Sequence, residues 1–324
     1  MRIGITGATG FLGRYLVAQL AGEGHHCRCW HRPTSDRGAM PAPNDAISWV
    51  LGDLGDVDAA SRLVEGCDAV IHAALNRPGP GSLGTETEAT LALRRANRFD
   101  RPGHGFMGAE GDLVPYVEQN VLGTIRLIEA ARTAGISRFV FISTCAVHDV
   151  ILSDRPLDET HPTWPASHYG AYKAAIEAFV HSYGFGRNYP ICALRPTGIY
   201  GLAHPPSRSK WYDLIQAVAR GENVNCQKGG KEVHAADVAR AAALLLTAEA
   251  ETVAGQAYNC CDRYISDFEV ASIAKALSGS GSRIEGAPKA PKNQIVTTKI
   301  EALGMRFGGQ ALLEQTIHEI LDAG

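Results

Sequence analysis

No apolar run in this chain of 324 residues is long enough to cross a bilayer, since the best stretch, 241–248, is closed off by Arg240 and Glu249. Nor is there an excess of basic charge. The 31 Lys and Arg against 34 Asp and Glu give a formal net charge of -3, which provides no electrostatic footprint for nucleic acid. The eight cysteines lack a pattern: Cys27 and Cys29 alternate, Cys260 and Cys261 adjoin, and Cys67, Cys145, Cys192 and Cys226 stand singly. Neither a zinc-ligand spacing nor a redox CxxC is present, so the expectation is reduced, mostly buried thiols and no metal. A strand-like segment begins within three residues of the N-terminus and leaves no room there for a secretory leader, so a cytoplasmic enzyme is expected. Repeats and low-complexity tracts are missing as well.

What is present is alternation. Short apolar runs at 2–6, 26–30, 47–51, 69–73, 138–143 and 191–195 alternate with helical patterns at 11–21, 113–134, 169–183 and 237–248. That order predicts βαβ units and an α/β fold: a Rossmann-type doubly wound parallel sheet. Residues 1–199 with 233–254 are expected to form the dinucleotide-binding part. The segments 200–232 and 255–324, with helices at 267–277 and 310–321, are expected to form a small C-terminal substrate-binding lobe at the sheet edge where open α/β folds bind ligands. A Gly- and Pro-rich insertion at 76–110 follows the fourth strand and reads as a possible lid.

The sharpest local signal is TGATGFLG, from Thr6 to Gly13, between the first strand and the first helix. Gly7 permits the tight turn, Gly10 lets backbone approach a pyrophosphate, and Gly13 lets the helix pack on the sheet. With Thr9, Phe11 and Leu12 they form an anion site at a helix N-terminus. The second strand ends in Trp30-His31-Arg32, where an acidic residue would instead favour NAD. Arg32 can pair with a 2'-phosphate, so the expected cofactor is NADP, with NAD possible. Asp53 and Leu54, after the third strand, are placed to touch adenine.

The catalytic candidates are Tyr169 and Lys173, four apart and therefore on one helix face. A free phenol titrates near ~10, so acting at neutral pH needs a fall of about 3 units, or ~4 kcal/mol. A neighbouring ammonium acts in that direction. Thr144, at the end of a strand, can hydrogen-bond a substrate oxygen.

These motifs resemble those of the extended short-chain dehydrogenases/reductases of the NAD(P)-dependent epimerase/dehydratase family. The similarity runs in order through TGATGFLG, GDL at Gly52, HAA at His72, NVLGT at Asn120, FISTCAVH at Phe141, YGAYK at Tyr169, LRPTGIYG at Leu194 and VHAADVA at Val233. It implies Tyr169 as acid/base, Lys173 as its partner and ribose ligand, and Thr144 as third member. It further implies Asn120 as a supporting residue, Ala73 and Ala74 along the cofactor, Pro196 beside the nicotinamide, and a homodimer. Relatives that bind nucleotide-sugars often carry an Asn where this chain has Gly198, and an Arg where only Lys228 and Lys231 are basic. Dehydratases carry acidic residues where Cys145 and Ala146 stand. The expectation is therefore hydride transfer at a carbinol or carbonyl carbon of a sugar-like or other small molecule. A nucleotide-sugar epimerase that does not consume its cofactor, and a non-catalytic NADP-sensing regulator, remain as alternatives.

Overall fold

The computed structural model describes residues 1–38, 40, 44–76, 113–288 and 291–324; all but the first residue of the expected 76–110 lid lies outside them. Seven parallel strands form the main sheet, in the order β10-β6-β5-β4-β1-β2-β3. They are β1 (Arg2–Thr6), β2 (His26–His31), β3 (Ile47–Leu51), β4 (Ala69–His72), β5 (Arg138–Ile142), β6 (Ile191–Pro196) and β10 (Gln256–Cys260). The order reverses between β1 and β4, which opens a crevice at their C-terminal ends. Ile3, Ile5, Val70, Ile71, Phe139, Val140 and Phe141 are fully buried because helices cover both faces, as continuous apolar runs require.

Helix α1 (Phe11–Gly22) starts where Gly10 turns extended, and α2 (Ala59–Val64) follows β3. The helix expected over 113–134 is broken into α3 (Leu113–Val117), a π-helical turn (Glu118–Leu122) and α4 (Gly123–Thr133). The extra residue in that turn carries Asn120 inward, a use typical of such bulges. Helix α5 (His168–Arg187) is capped by the Ser167 hydroxyl on the Gly170 N–H at 3.1 Å and stopped by left-handed Asn188.

The remainder builds a lobe beyond the strand ends. Strands β7 (Gly198–Tyr200), β9 (Gly229–His234) and β11 (Arg263–Ser266) form one sheet, while β8 (Val224–Cys226) and β12 (Ile284–Gly286) form another. Helices α6 (Tyr212–Ala219), α8 (Asp267–Ser278) and α9 (Gly309–Asp322) close over Tyr200, Ile215, Val218, Ile265, Leu313 and Ile317, whereas α7 (Ala235–Thr247) packs against α1 in the main core. The expected boundary at 255 needs correction. Strand β10 pairs in parallel with β6 and completes the main sheet, and Ile300 and Met305 join its core. This five-residue strand is placed at the sheet edge by its one-sided pairing to a distant segment, which periodicity alone did not reveal.

Candidate functional site

The glycine loop leaves the kind of cradle a phosphate needs. Gly7 has φ +74°, and a Cβ there would lie 2.8 Å from the Ala73 backbone; at Gly13 a Cβ would overlap the Gly7 carbonyl oxygen. Only hydrogen at both positions lets the segment after β4, the loop and α1 approach so closely. Gly10 makes no side-chain cap, so the α1 N-terminus faces the crevice with its first amides uncapped by any side chain. Thr9, Phe11 and Leu12 are half-buried around it.

Behind this loop lies a hydrogen-bond chain that the sequence did not announce. Thr6 Oγ1 accepts from the amides of Ala73 (3.1 Å) and Ala74 (3.0 Å), so its own proton goes to His72 Nδ1 at 2.6 Å. His72 Nε2–H then donates to Thr124 Oγ1 (2.8 Å), which donates to the Asn120 carbonyl oxygen (2.6 Å). Tyr172, just before Lys173 on the same chain segment, adds its hydroxyl to Thr124 at 3.3 Å. Full burial and the charge of Lys173 push His72 down to about 3, so it is neutral. Asn120 is wholly buried and grips the Asn76 backbone, accepting from its N–H at 2.8 Å and donating to its carbonyl at 3.0 Å. Its other amide hydrogen goes to the Tyr116 carbonyl at 3.0 Å, so both of its N–H donors are spent on backbone.

Helix α5 aligns Tyr169, Lys173 and Glu177 on one face, each four residues from the next. Lys173 Nζ lies 5.9 Å from the Tyr169 ring centre, donates to the Ile142 carbonyl at 2.6 Å and sits over Phe141 at 4.5 Å. Burial pushes this lysine down to about 7, with Glu177 opposing. Thr144 is buried at the end of β5; its Oγ1 accepts from the Ala146 N–H at 3.1 Å, which leaves its own proton to give.

Under this face runs a buried ion pair. Arg195 and Glu177 are each 2% exposed and meet at 2.6 Å. Glu177 also accepts from the Ser143 hydroxyl, and Arg195 donates to His148 Nε2 at 3.2 Å. His148 Nδ1–H is thereby left to donate to the Pro162 carbonyl at 3.1 Å. Burial, reinforced by Arg195, pushes His148 down to about 4. The only signal for this network in the sequence was the four-residue step from Lys173 to Glu177.

The adenosine end is looser. Arg32 is exposed, and its guanidinium has no hydrogen bond or ion pair among the described residues. Buried Arg14 ties the segment after it, donating to the carbonyls of Gly38 (2.8 Å) and Asp36 (3.2 Å). Asp53 is exposed and accepts from the Gly55 N–H at 2.8 Å, and buried Leu54 lies against Gly123. Pro196 ends β6 in the interior. Among the described residues no helix is long and apolar enough to cross a membrane, and no group of three or more His, Cys, Asp or Glu could hold a metal ion.

A family model described as the NAD dependent epimerase/dehydratase family matches residues 3–94 and 109–261. The chain is 27% identical over 292 residues to the dTDP-D-glucose 4,6-dehydratase of Mus musculus, covering 85% of this chain and 72% of that protein. It is 27% identical over 229 residues to a 3 beta-hydroxysteroid dehydrogenase/Delta 5-->4-isomerase of Mycobacterium tuberculosis, covering 68% of this chain and 52% of that one. Its fold matches the crystal structure of the Thermus thermophilus UDP-glucose 4-epimerase in complex with NAD, with a TM-score of 0.72 at 23% identity over the whole of both chains.

Proposed function

Because the chain belongs to the NAD-dependent epimerase/dehydratase family and is an enzyme of the short-chain dehydrogenase/reductase type, we propose that it is an NADP-dependent oxidoreductase acting at a carbinol or carbonyl carbon of a small substrate. The observation that carries this is the Tyr169–Lys173 pair on α5 together with the open α1 cradle. Gly7, Thr9, Gly10, Phe11, Leu12 and Gly13 would hold the pyrophosphate, and Arg32, Asp53 and Leu54 the adenosine end. Ala73, Ala74, Lys173 and Pro196 would line the nicotinamide half. When bound, the nicotinamide supplies the hydride acceptor or donor.

The chain's own residues do the proton work. Tyr169 takes the hydroxyl proton in oxidation and returns it in reduction. Lys173 favours its phenolate by charge. Thr144 directs its free hydroxyl proton at the substrate oxygen and fixes it for transfer. Arg32, after β2 and without a side-chain partner among the described residues, supports NADP over NAD. A nucleotide-sugar epimerase has less support, because a side chain at position 198 would run into the Glu232 carboxylate. Exposed Val114, Val117 and Leu122 beside α4, with Phe179 on α5, support a homodimer through these helices. The same reading sets the enzyme in the cytoplasm.

The test is a panel of carbonyl compounds with NADPH, followed at the absorbance of the reduced nicotinamide. Net cofactor oxidation is expected with at least one compound, with NADPH bound more tightly than NADH. Tyr169→Phe should lower turnover by roughly 10²–10⁴-fold while leaving NADPH affinity within about twofold. A fully active Tyr169→Phe variant would overturn the assignment.

A further inference from the structure

Strand β9 alternates two charged residues with opposite fates. Glu232 is buried and paired with Lys210 at 2.5 Å. Lys231, on the other face of the strand, is half-buried and makes no hydrogen bond or ion pair among the described residues.

Its position is specific. The β7–β9 register sets Gly198 opposite Glu232 and so brings Lys231 level with Thr197, whose N–H bonds the Cys260 carbonyl at 3.1 Å. In the 3-10 turn that follows β5, Cys145, the residue directly after Thr144, donates its thiol to the Arg195 carbonyl at 3.0 Å. The segments leaving β5, β6 and β10 thus converge beside this ammonium. Cys145 and Cys261 belong to a small apolar cluster with Leu157, Ile295 and Ile151. Burial lowers the Lys231 pKa, opposed by the Cys261 and Cys145 thiols beside it. Burial keeps both of those thiols well above their ordinary value and therefore neutral.

A half-buried ammonium with no anion in contact among the described residues is partly desolvated without compensation, and a ligand carboxylate would supply that compensation. We propose that Lys231 is the anion-recognising residue of the substrate site, and that the substrate bears a carboxylate close to the carbinol carbon served by Thr144 and Tyr169. The identification of that carbon rests on the hydride-transfer reading above. One monovalent cation with apolar walls matches a carboxylate, whereas a phosphoryl dianion calls for more donors.

Calorimetric titration of the NADP-saturated protein tests this without requiring turnover. The probes are butyrate, 2-hydroxybutyrate and levulinate, the methyl ester of each, and glycerol phosphate. At least one carboxylate is expected to bind tenfold or more tighter than its ester. Lys231→Met should erase that preference, Lys231→Arg should keep it, and both should retain the wild-type NADP affinity, which shows that they are folded. Equal binding of acids and esters, no binding of any acid, preference for glycerol phosphate, or an unaltered Lys231→Met profile each overturns the proposal. If the acids bind as expected while no carbonyl compound consumes NADPH, the hydride-transfer reading fails and the anion site stands.

Discussion

The crevice between the glycine loop and α5 treats its buried polar groups differently from the segments after β6. Around the crevice they close into networks: Thr6, His72, Thr124 and Asn120 form one chain, and Ser143, Glu177, Arg195 and His148 another, while the first-half atoms without a partner among the described residues, His26 Nδ1, Arg138 Nη1 and the Tyr189 hydroxyl, lie outside these networks. After β6 the open groups gather on β7, β9 and β10 and just beyond it. The Tyr200 hydroxyl, one carboxylate oxygen each of Glu232 and Asp262, and the Asn259 amide oxygen have no hydrogen-bond partner among the described residues, and Lys231 has no anion. A closed network fixes geometry before any ligand arrives, whereas open groups next to a cleft are available to one. On the reading proposed above, the closed networks pre-set the cofactor and catalytic geometry, and the open groups leave selectivity to the lobe.

That contrast can be broken by substitution. The largest effect is expected at the ion pair: Glu177→Ala leaves Arg195 buried and uncompensated, which should cost about 3–5 kcal/mol in urea unfolding. A loss below about 1 kcal/mol would mean that the crevice is not held in this way.

Acid comes next. His72 is held near 3 against an ordinary value of 6.5, so between those values the unfolded chain binds the proton and the folded one does not. Its stabilising contribution is complete above about pH 6.5 and is lost as pH falls toward 3, by roughly 3–5 kcal/mol in all. Denaturation midpoints at pH 7, 5.5 and 4 read the slope, and a His72 ring titrating near 6.5 by NMR would contradict it.

The smallest effect is expected among the open groups. Tyr200→Phe removes a buried hydroxyl without a partner, so stability should stay within about 1 kcal/mol or rise. A loss of 2 kcal/mol or more would show that the lobe is closed after all.

Much of this was legible early. Strands β1 to β6 and the glycine loop follow from alternation and from three small residues in a fixed pattern, because these are local constraints on backbone and burial. The positions of Tyr169 and Lys173 follow from helix periodicity. The role of Asn120 did not, since its partner is the backbone of Asn76, 44 residues away. Strand β10 was missed because its single pairing, to β6, joins segments some 64 residues apart, and Gln256–Cys260 carries no strong strand signature.

The amino-acid order alone determined the βαβ alternation, the anion cradle and the shared face of a phenol and an ammonium, since each depends on neighbours within about one or two turns of chain. Only the folded chain decided that His72 stays neutral, that Arg195 lies against Glu177 and that Lys231 is left without an anion. Those outcomes depend on burial and on which distant segments meet, and a linear sequence carries no record of either.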